Sequence, residues 1–170
     1  MRVLALCGSL RAASMNMALL RSCSQVAPPE VSVAIFAGMA ALPLFNPDLE
    51  ASMPSPAVAL HGELERANAV LIASPEYAHG VTAVLKNALD WLVSFPPFVD
   101  KPVAIFNASP RSVHADTALR EILTTMSARL VEPACLSLPL RATGVTTEAI
   151  VAAHAEPIRA ALSALARAAT

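Results

Sequence analysis

Short, unbroken apolar runs alternating with segments of helical periodicity are the feature that most constrains this chain. Val3–Cys7, Val31–Phe36, Ala69–Ala73 and Pro102–Phe106 are each of strand length and carry almost no polar residue. A strand apolar at every position is covered on both faces, which is the situation of a parallel sheet between helices. Between these runs lie helical segments from Ser14 to about Gln25, from Pro56 to Arg66, from Val81 to Leu92 and from His114 to Leu130. In the first of them Met15, Leu19, Leu20 and Cys23 share a face, and Pro28-Pro29 ends it. Pro133–Leu138 reads as a fifth, edge-like strand, and an alanine-rich helix from about Thr146 to Ala168 closes the chain. Five strands alternating with five helices predict an α/β, doubly wound, five-stranded parallel sheet with helices on both faces, since right-handed crossovers place them there. At 170 residues, with no internal repeat and no linker composition, 1–170 is expected to form a single domain.

Composition narrows the function classes. Net charge is −1 with no basic run, so no nucleic-acid footprint is expected. No apolar stretch reads as a membrane span and no signal peptide is recognisable, which points to a cytoplasmic protein. Hydrophobic residues make up 55% and charged residues 15%, a balance that favours a covered surface and hints at oligomerisation. Cys7, Cys23 and Cys135 are too far apart for a CxxC or zinc pair, and Cys7 reads as a core residue. His61, His79, His114 and His154 are scattered, with neither metal spacing nor a Gly-x-Ser-x-Gly nucleophile turn.

Two loops carry chemistry. Gly8-Ser9-Leu10-Arg11-Ala12-Ala13-Ser14-Met15-Asn16 joins the first strand to the first helix. It has neither the three glycines of the dinucleotide fingerprint nor the Gly-Lys-Ser/Thr end of a P-loop. It does offer the hydroxyls of Ser9 and Ser14, the Asn16 amide, the forked guanidinium of Arg11 and a helix N-terminus, a set that suits a phosphomonoester. The plain alternative makes Ser14 only a helix cap and Arg11 a surface charge. The second loop, Ser74-Pro75-Glu76-Tyr77-Ala78-His79-Gly80, follows the third strand. Its backbone N–H groups at 76–78 can face the edge of a flat heterocycle and stabilise charge developing there. Against that, Tyr77 reads equally as a core cover, His79 as a surface imidazole and Glu76 as a residue answering a helix dipole.

Four blocks in order, Gly-Ser-Leu-Arg-x-x-Ser-x-Asn at 8–16, Leu-Pro-Leu-Phe-Asn-Pro-Asp-Leu-Glu at 42–50, Ser-Pro-Glu-Tyr at 74–77 and Leu-Lys-Asn-Ala-Leu-Asp-Trp at 85–91, resemble the NAD(P)H-dependent FMN reductase family, which includes quinone, azo-dye and chromate reductases. The resemblance implies a flavodoxin-like sheet of order 2-1-3-4-5 with FMN at the switch point. It implies that Ser9, Arg11, Ser14 and Asn16 hold the FMN phosphate, that Pro75, Glu76 and Tyr77 line the isoalloxazine, and that Ser109 falls near the ring or ribityl chain. It implies NADPH or NADH as hydride donor, a small-molecule acceptor such as a quinone or flavin, and a homodimer or homotetramer in which Asn87, Asp90 and Trp91 serve as interface or scaffold. No side chain is expected to act as a catalytic acid or base, because the flavin carries the chemistry. The rival is a flavodoxin-type electron carrier that binds FMN without using nicotinamide; such carriers tend to be strongly acidic, unlike this chain. The sequence departs from the family's habits at Ala78, where asparagine is common, at Thr82, near where proline is common, and at Asn107–Ser112, where a glycine-rich loop is usual. Arg111 in that last loop reads either as a flavin or nucleotide contact or as a surface charge.

Overall fold

A computed structural model describes residues 1–140 and 145–169. The strands are β1 (Arg2–Cys7), β2 (Ser32–Ile35), β3 (Ala69–Ala73), β4 (Glu76–Tyr77), β5 (Gly80–Val81), β6 (Pro102–Asn107), β7 (Arg129–Leu130) and β8 (Leu136–Ser137). The helices are α1 (Met15–Val26), α2 (Ser55–Glu65), α3 (Ala83–Asp90), α4 (Val113–Thr125) and α5 (Thr147–Ala168). The main sheet runs β2-β1-β3-β6-β7, with β8 also on β6, and every pairing in it is parallel. This is the flavodoxin-like order 2-1-3-4-5, with β6 as the fourth strand and β7 with β8 as the fifth.

Alternation along the strands explains both helical layers. Val3, Ala5 and Cys7 of β1, Ala69, Leu71 and Ala73 of β3, and Ala104 and Phe106 of β6 face α1 and α5. Their neighbours Leu4, Leu6, Val70, Ile72, Val103 and Ile105 face α2, α3 and α4. A strand buried on both faces needs this continuous apolar run. By length and composition α5 would pass for a membrane span. Ile150, Ile158, Ala161, Leu162 and Leu165 are instead buried in the α1 side of the core. Pro157 has no N–H for the helix ladder, and the backbone breaks helical geometry at His154 (φ −135°, ψ 15°).

Three expectations need correction. The helix expected over 114–130 stops at Thr125, and Leu130 pairs with Val103 as part of β7. The fifth strand therefore starts earlier than Pro133 and is broken in two by a 3₁₀ turn at Glu132–Ala134. At the break, the Ile105 N–H donates to the Cys135 Sγ at 3.4 Å. The loop between β3 and α3 is also more structured than a tight turn: β4 and β5 form an antiparallel hairpin, and α3 begins only at Ala83.

Burial pushes all three thiols up, and that of Cys23 to about 12. A thiol so placed forms almost no thiolate near neutrality, so it is a poor nucleophile. Iodoacetamide at pH 8 is expected to leave Cys23 unmodified in the folded protein and to label it after denaturation, as read by intact mass. Labelling of native protein at that position would contradict the packing.

Candidate functional site

Three loops meet at the carboxyl edge of the sheet. They follow β1, β3 and β6, which are neighbours in it. The first is anchored by Gly8, whose N–H donates to Ala73 O at 2.9 Å. Ser9 is buried, and its Oγ accepts the Arg11 N–H at 3.3 Å, which closes the turn. Ser14 is the N-cap of α1: its Oγ accepts the Met17 N–H at 3.2 Å. Its hydroxyl hydrogen remains available to an acceptor, so the cap and phosphate roles are compatible. As the first two residues of the helix, Met15 and Asn16 carry N–H groups with no intrahelical acceptor. Asn16 is only 5% exposed, yet its Oδ1 has no hydrogen-bond partner. An orphaned buried acceptor costs about 1–3 kcal/mol unless a donor meets it, and toward an anion at this position Asn16 can offer only its Nδ2 hydrogens.

The second loop is the β4–β5 hairpin. Tyr77 pairs with Gly80, leaving Ala78 and His79 as a two-residue turn with φ of 48° and 58°. Left-handed values at both positions define a type I′ turn, which favours Asn-Gly; Ala and His are strained there. This gives a physical reason for asparagine at the place of Ala78 in the resembling family. Ala78→Asn is expected to raise stability by about 0.5–1 kcal/mol, or about 2–3 °C in Tm. A lower Tm for that variant would show that the hairpin is not the native geometry.

The side chains of the hairpin divide their roles. Tyr77 is 58% exposed, so it does not cover the core and its ring stands free at the edge. Pro75 is half-buried just ahead of the turn. The Glu76 carboxylate turns away from α3: its Oε2 accepts the Ala115 N–H at 2.8 Å, in the first turn of α4. Ser112 precedes α4 without a side-chain cap of its own, so Glu76 supplies the missing acceptor from another loop. One oxygen of the Glu76 carboxylate is thereby committed to α4. His79 stacks on His114 with centroids 4.2 Å apart, a second tie between hairpin and helix.

Thr82 joins the first two loops, and sequence reasoning did not single it out as a site residue. It is 3% exposed, and its Oγ1 donates to Gly8 O at 2.8 Å. The same oxygen caps α3 through the Leu85 N–H at 3.3 Å and lies 3.3 Å from Ser74 Oγ. The signal available was its position as an N-cap candidate ahead of an amphipathic run.

In the third loop, Ser109 N–H donates to Asn107 Oδ1 at 2.9 Å, and Ser109 Oγ accepts the Arg111 N–H at 3.3 Å. These two turns shape the segment without glycine. Behind the site, Asn87 accepts the Phe45 N–H at 2.8 Å and donates to Pro43 O at 3.0 Å, while Trp91 Nε1 donates to Pro43 O at 2.8 Å. Asn87 and Trp91 are therefore scaffold that holds the Leu42–Phe45 connection against α3. Among the described residues, no group of three or more His, Cys, Asp and Glu lies close enough to hold a metal ion.

The model of the NADPH-dependent FMN reductase family matches residues 1–142, most of the chain. The chain belongs to that family. The family's description names FMN and NADPH. Among relatives, the NAD(P)H-dependent FMN reductase PA1204 of Pseudomonas aeruginosa is 41% identical over 111 residues, covering 64% of this chain and 60% of that one. The quinone reductase of Escherichia coli K12 is 33% identical over 138 residues, covering 77% and 73%. The chain thus spans under two thirds of the Pseudomonas relative and about three quarters of the Escherichia one. Among solved structures, the flavoenzyme NAD(P)H:(acceptor) oxidoreductase FerB of Paracoccus denitrificans superposes with a TM-score of 0.76 at 23% identity, over 98% of this chain and 97% of that one. RosB, holding 8-demethyl-8-formylriboflavin-5′-phosphate, gives 0.75 at 14% identity, over 99% and 79%. At these identities the likeness establishes the fold.

Proposed function

We propose that the chain, as one domain over 1–170, is an NAD(P)H-dependent FMN oxidoreductase that passes electrons to a quinone, free flavin or similar small acceptor. The observation that carries this is the convergence of a helix N-terminus, an unpaired Arg11 and the buried Asn16 amide one strand away from a hairpin with a free aromatic ring. Ser9, Arg11, Ser14 and Asn16 hold the phosphate, where the α1 dipole adds roughly half a positive charge. Pro75 and Tyr77 line the ring, the backbone at Glu76 and Tyr77 faces its polar edge, and Ser109 closes the side nearest β6. FMN held by these residues would supply the redox chemistry between NAD(P)H and the acceptor. The protein's part is position: Thr82 sets the phosphate loop against the ring loop, and Glu76 sets the ring loop against α4. No side chain transfers a proton in this reading.

Leu10 (56%), Leu44 (83%) and Tyr77 (58%) are large apolar side chains exposed on or near the site loops. We take their cover to be a second copy of the chain, so that the active form is a homodimer or a homotetramer; sedimentation velocity tests this. Three free cysteines are in keeping with a reducing, cytoplasmic setting.

The test is the absorbance spectrum of the purified protein after FMN addition, followed by anaerobic titration with NADPH and NADH and steady-state turnover with a quinone. Flavin bands that bleach on NADPH addition and return with quinone are expected. Failure to retain FMN would overturn the reading. Retention without nicotinamide oxidation would favour the electron-carrier alternative.

A further inference from the structure

The β4–β5 hairpin cannot hold its shape alone. Among the described residues its strands pair only with each other, Glu76 with Val81 and Tyr77 with Gly80. A hairpin this short is not stable by itself in water. Its turn also works against it. Ala78 and His79 both hold left-handed φ, 48° and 58°, and a residue with a Cβ is disfavoured there by about fivefold or more. The support comes from α4, against which both strands pack. Two side-chain contacts make the join. Glu76 Oε2 accepts the Ala115 N–H at 2.8 Å, and the His79 ring lies on the His114 ring with centroids 4.2 Å apart and planes 24° from parallel. Both histidines are otherwise exposed, and neither belongs to the two core clusters.

The two contacts sit at different heights. Glu76 fixes the base of the hairpin, the stack fixes its tip, and Tyr77 lies between them in the chain. Its placement is therefore set by α4 from both sides. The helix in turn begins where the third loop ends: the Ser112 N–H donates to Ser109 O at 3.1 Å, Val113 opens α4, and His114 is its second residue. The second and third loops of the site thus meet through the first turn of α4. The balance at the tip is close. A stacked pair of flat rings favours the closed hairpin by about threefold to tenfold, which is of the same order as the penalty at one left-handed residue. Without the stack, the strain of the turn is opposed by the Glu76 contact alone, and the hairpin opens more often.

We propose that His114 is a positioning residue: its ring latches the strained tip of the hairpin to α4 and so keeps Tyr77 and the backbone at 76–77 in place at the ring end of the site. The latch rests on the reading that puts the flavin ring at this hairpin, and its first measurement needs no flavin. Amide hydrogen exchange at Tyr77 and Gly80 is followed by NMR in FMN-free protein, and the FMN Kd by fluorescence quenching. His114→Ala is expected to speed exchange at both amides about fivefold and to leave the buried amides of β3 unchanged. It is expected to weaken FMN about threefold, because only the closed fraction binds. His114→Phe keeps a flat ring and is expected to restore both values. Glycine adopts left-handed φ without strain, so His79→Gly combined with His114→Ala is expected to restore both with no stack at all. A turn under no strain needs no latch. Unchanged hairpin exchange in His114→Ala would overturn the proposal, as would failure of the His79→Gly combination to recover it. Faster exchange throughout β3 would make His114 a part of general stability and overturn it too. Faster hairpin exchange with a wild-type FMN Kd would show that the latch does not act on the site. If exchange responds as expected while no protein, wild type included, retains FMN, the latch stands and the flavin reading falls.

Discussion

Gly8→Ala is expected to abolish FMN retention and to destabilise the fold by about 2–3 kcal/mol, the upper part of the usual range for overpacking. A Cβ on residue 8 would sit 2.1 Å from Ser74 Oγ, 2.6 Å from Ser74 Cβ and 2.9 Å from Thr82 Oγ1. Rotating the Ser74 hydroxyl away relieves the first contact only. The second is fixed by the backbone of the next loop, which the Gly8 N–H to Ala73 O bond holds in place. The loops after β1 and β3 would have to part, and with them the phosphate and ring ends of the site. Urea denaturation and quenching of FMN fluorescence read the two effects separately. Ser74→Gly in the Gly8→Ala background removes two of the three contacts, so it should restore part of both. Wild-type FMN affinity in Gly8→Ala would show that the two loops are not packed as described.

What the sequence made legible follows from where the physical signal is local. β3 occupies Ala69–Ala73, as read from an apolar run bounded by polar residues, because a strand buried on both faces has no polar position to blur its ends. The fifth strand was read only in its second piece, within Pro133–Leu138, and its first escaped, because the two pieces are two residues each. Its pairing with β6 is bridged by a Cys135 sulfur that no periodicity announces. The hairpin escaped because Ala78-His79 lacks the Asn-Gly signature that its own φ values call for. In the site, Ser14 as an N-cap was legible from its neighbours. The role of the Glu76 carboxylate was not: it caps a helix 39 residues further on, and only the packed fold brings the two together. The same holds for Thr82, whose acceptor on Gly8 is 74 residues away.

Thr82→Val is expected to weaken FMN binding about tenfold and to cost about 2 kcal/mol of stability. Two terms make up that cost. The α3 cap through the Leu85 N–H is worth about 1 kcal/mol. Leaving the Gly8 carbonyl without its donor adds about 1 kcal/mol or more. Valine keeps the volume and the branch, so packing around residue 82 is not the variable. Thr82→Ser keeps the hydroxyl and is expected to restore both quantities. Thr82→Pro separates them. The native φ of −63° suits proline without strain, and proline lowers the entropy of the unfolded chain. Thr82→Pro should therefore recover stability relative to Thr82→Val and still bind FMN poorly, because the tie to Gly8 is absent. Relatives with proline near this position would then hold their two loops together by other contacts, whereas this chain does it with one hydroxyl. If Thr82→Val retains the wild-type FMN Kd while losing stability, Thr82 is a helix cap alone and the coupling of the two loops lies elsewhere.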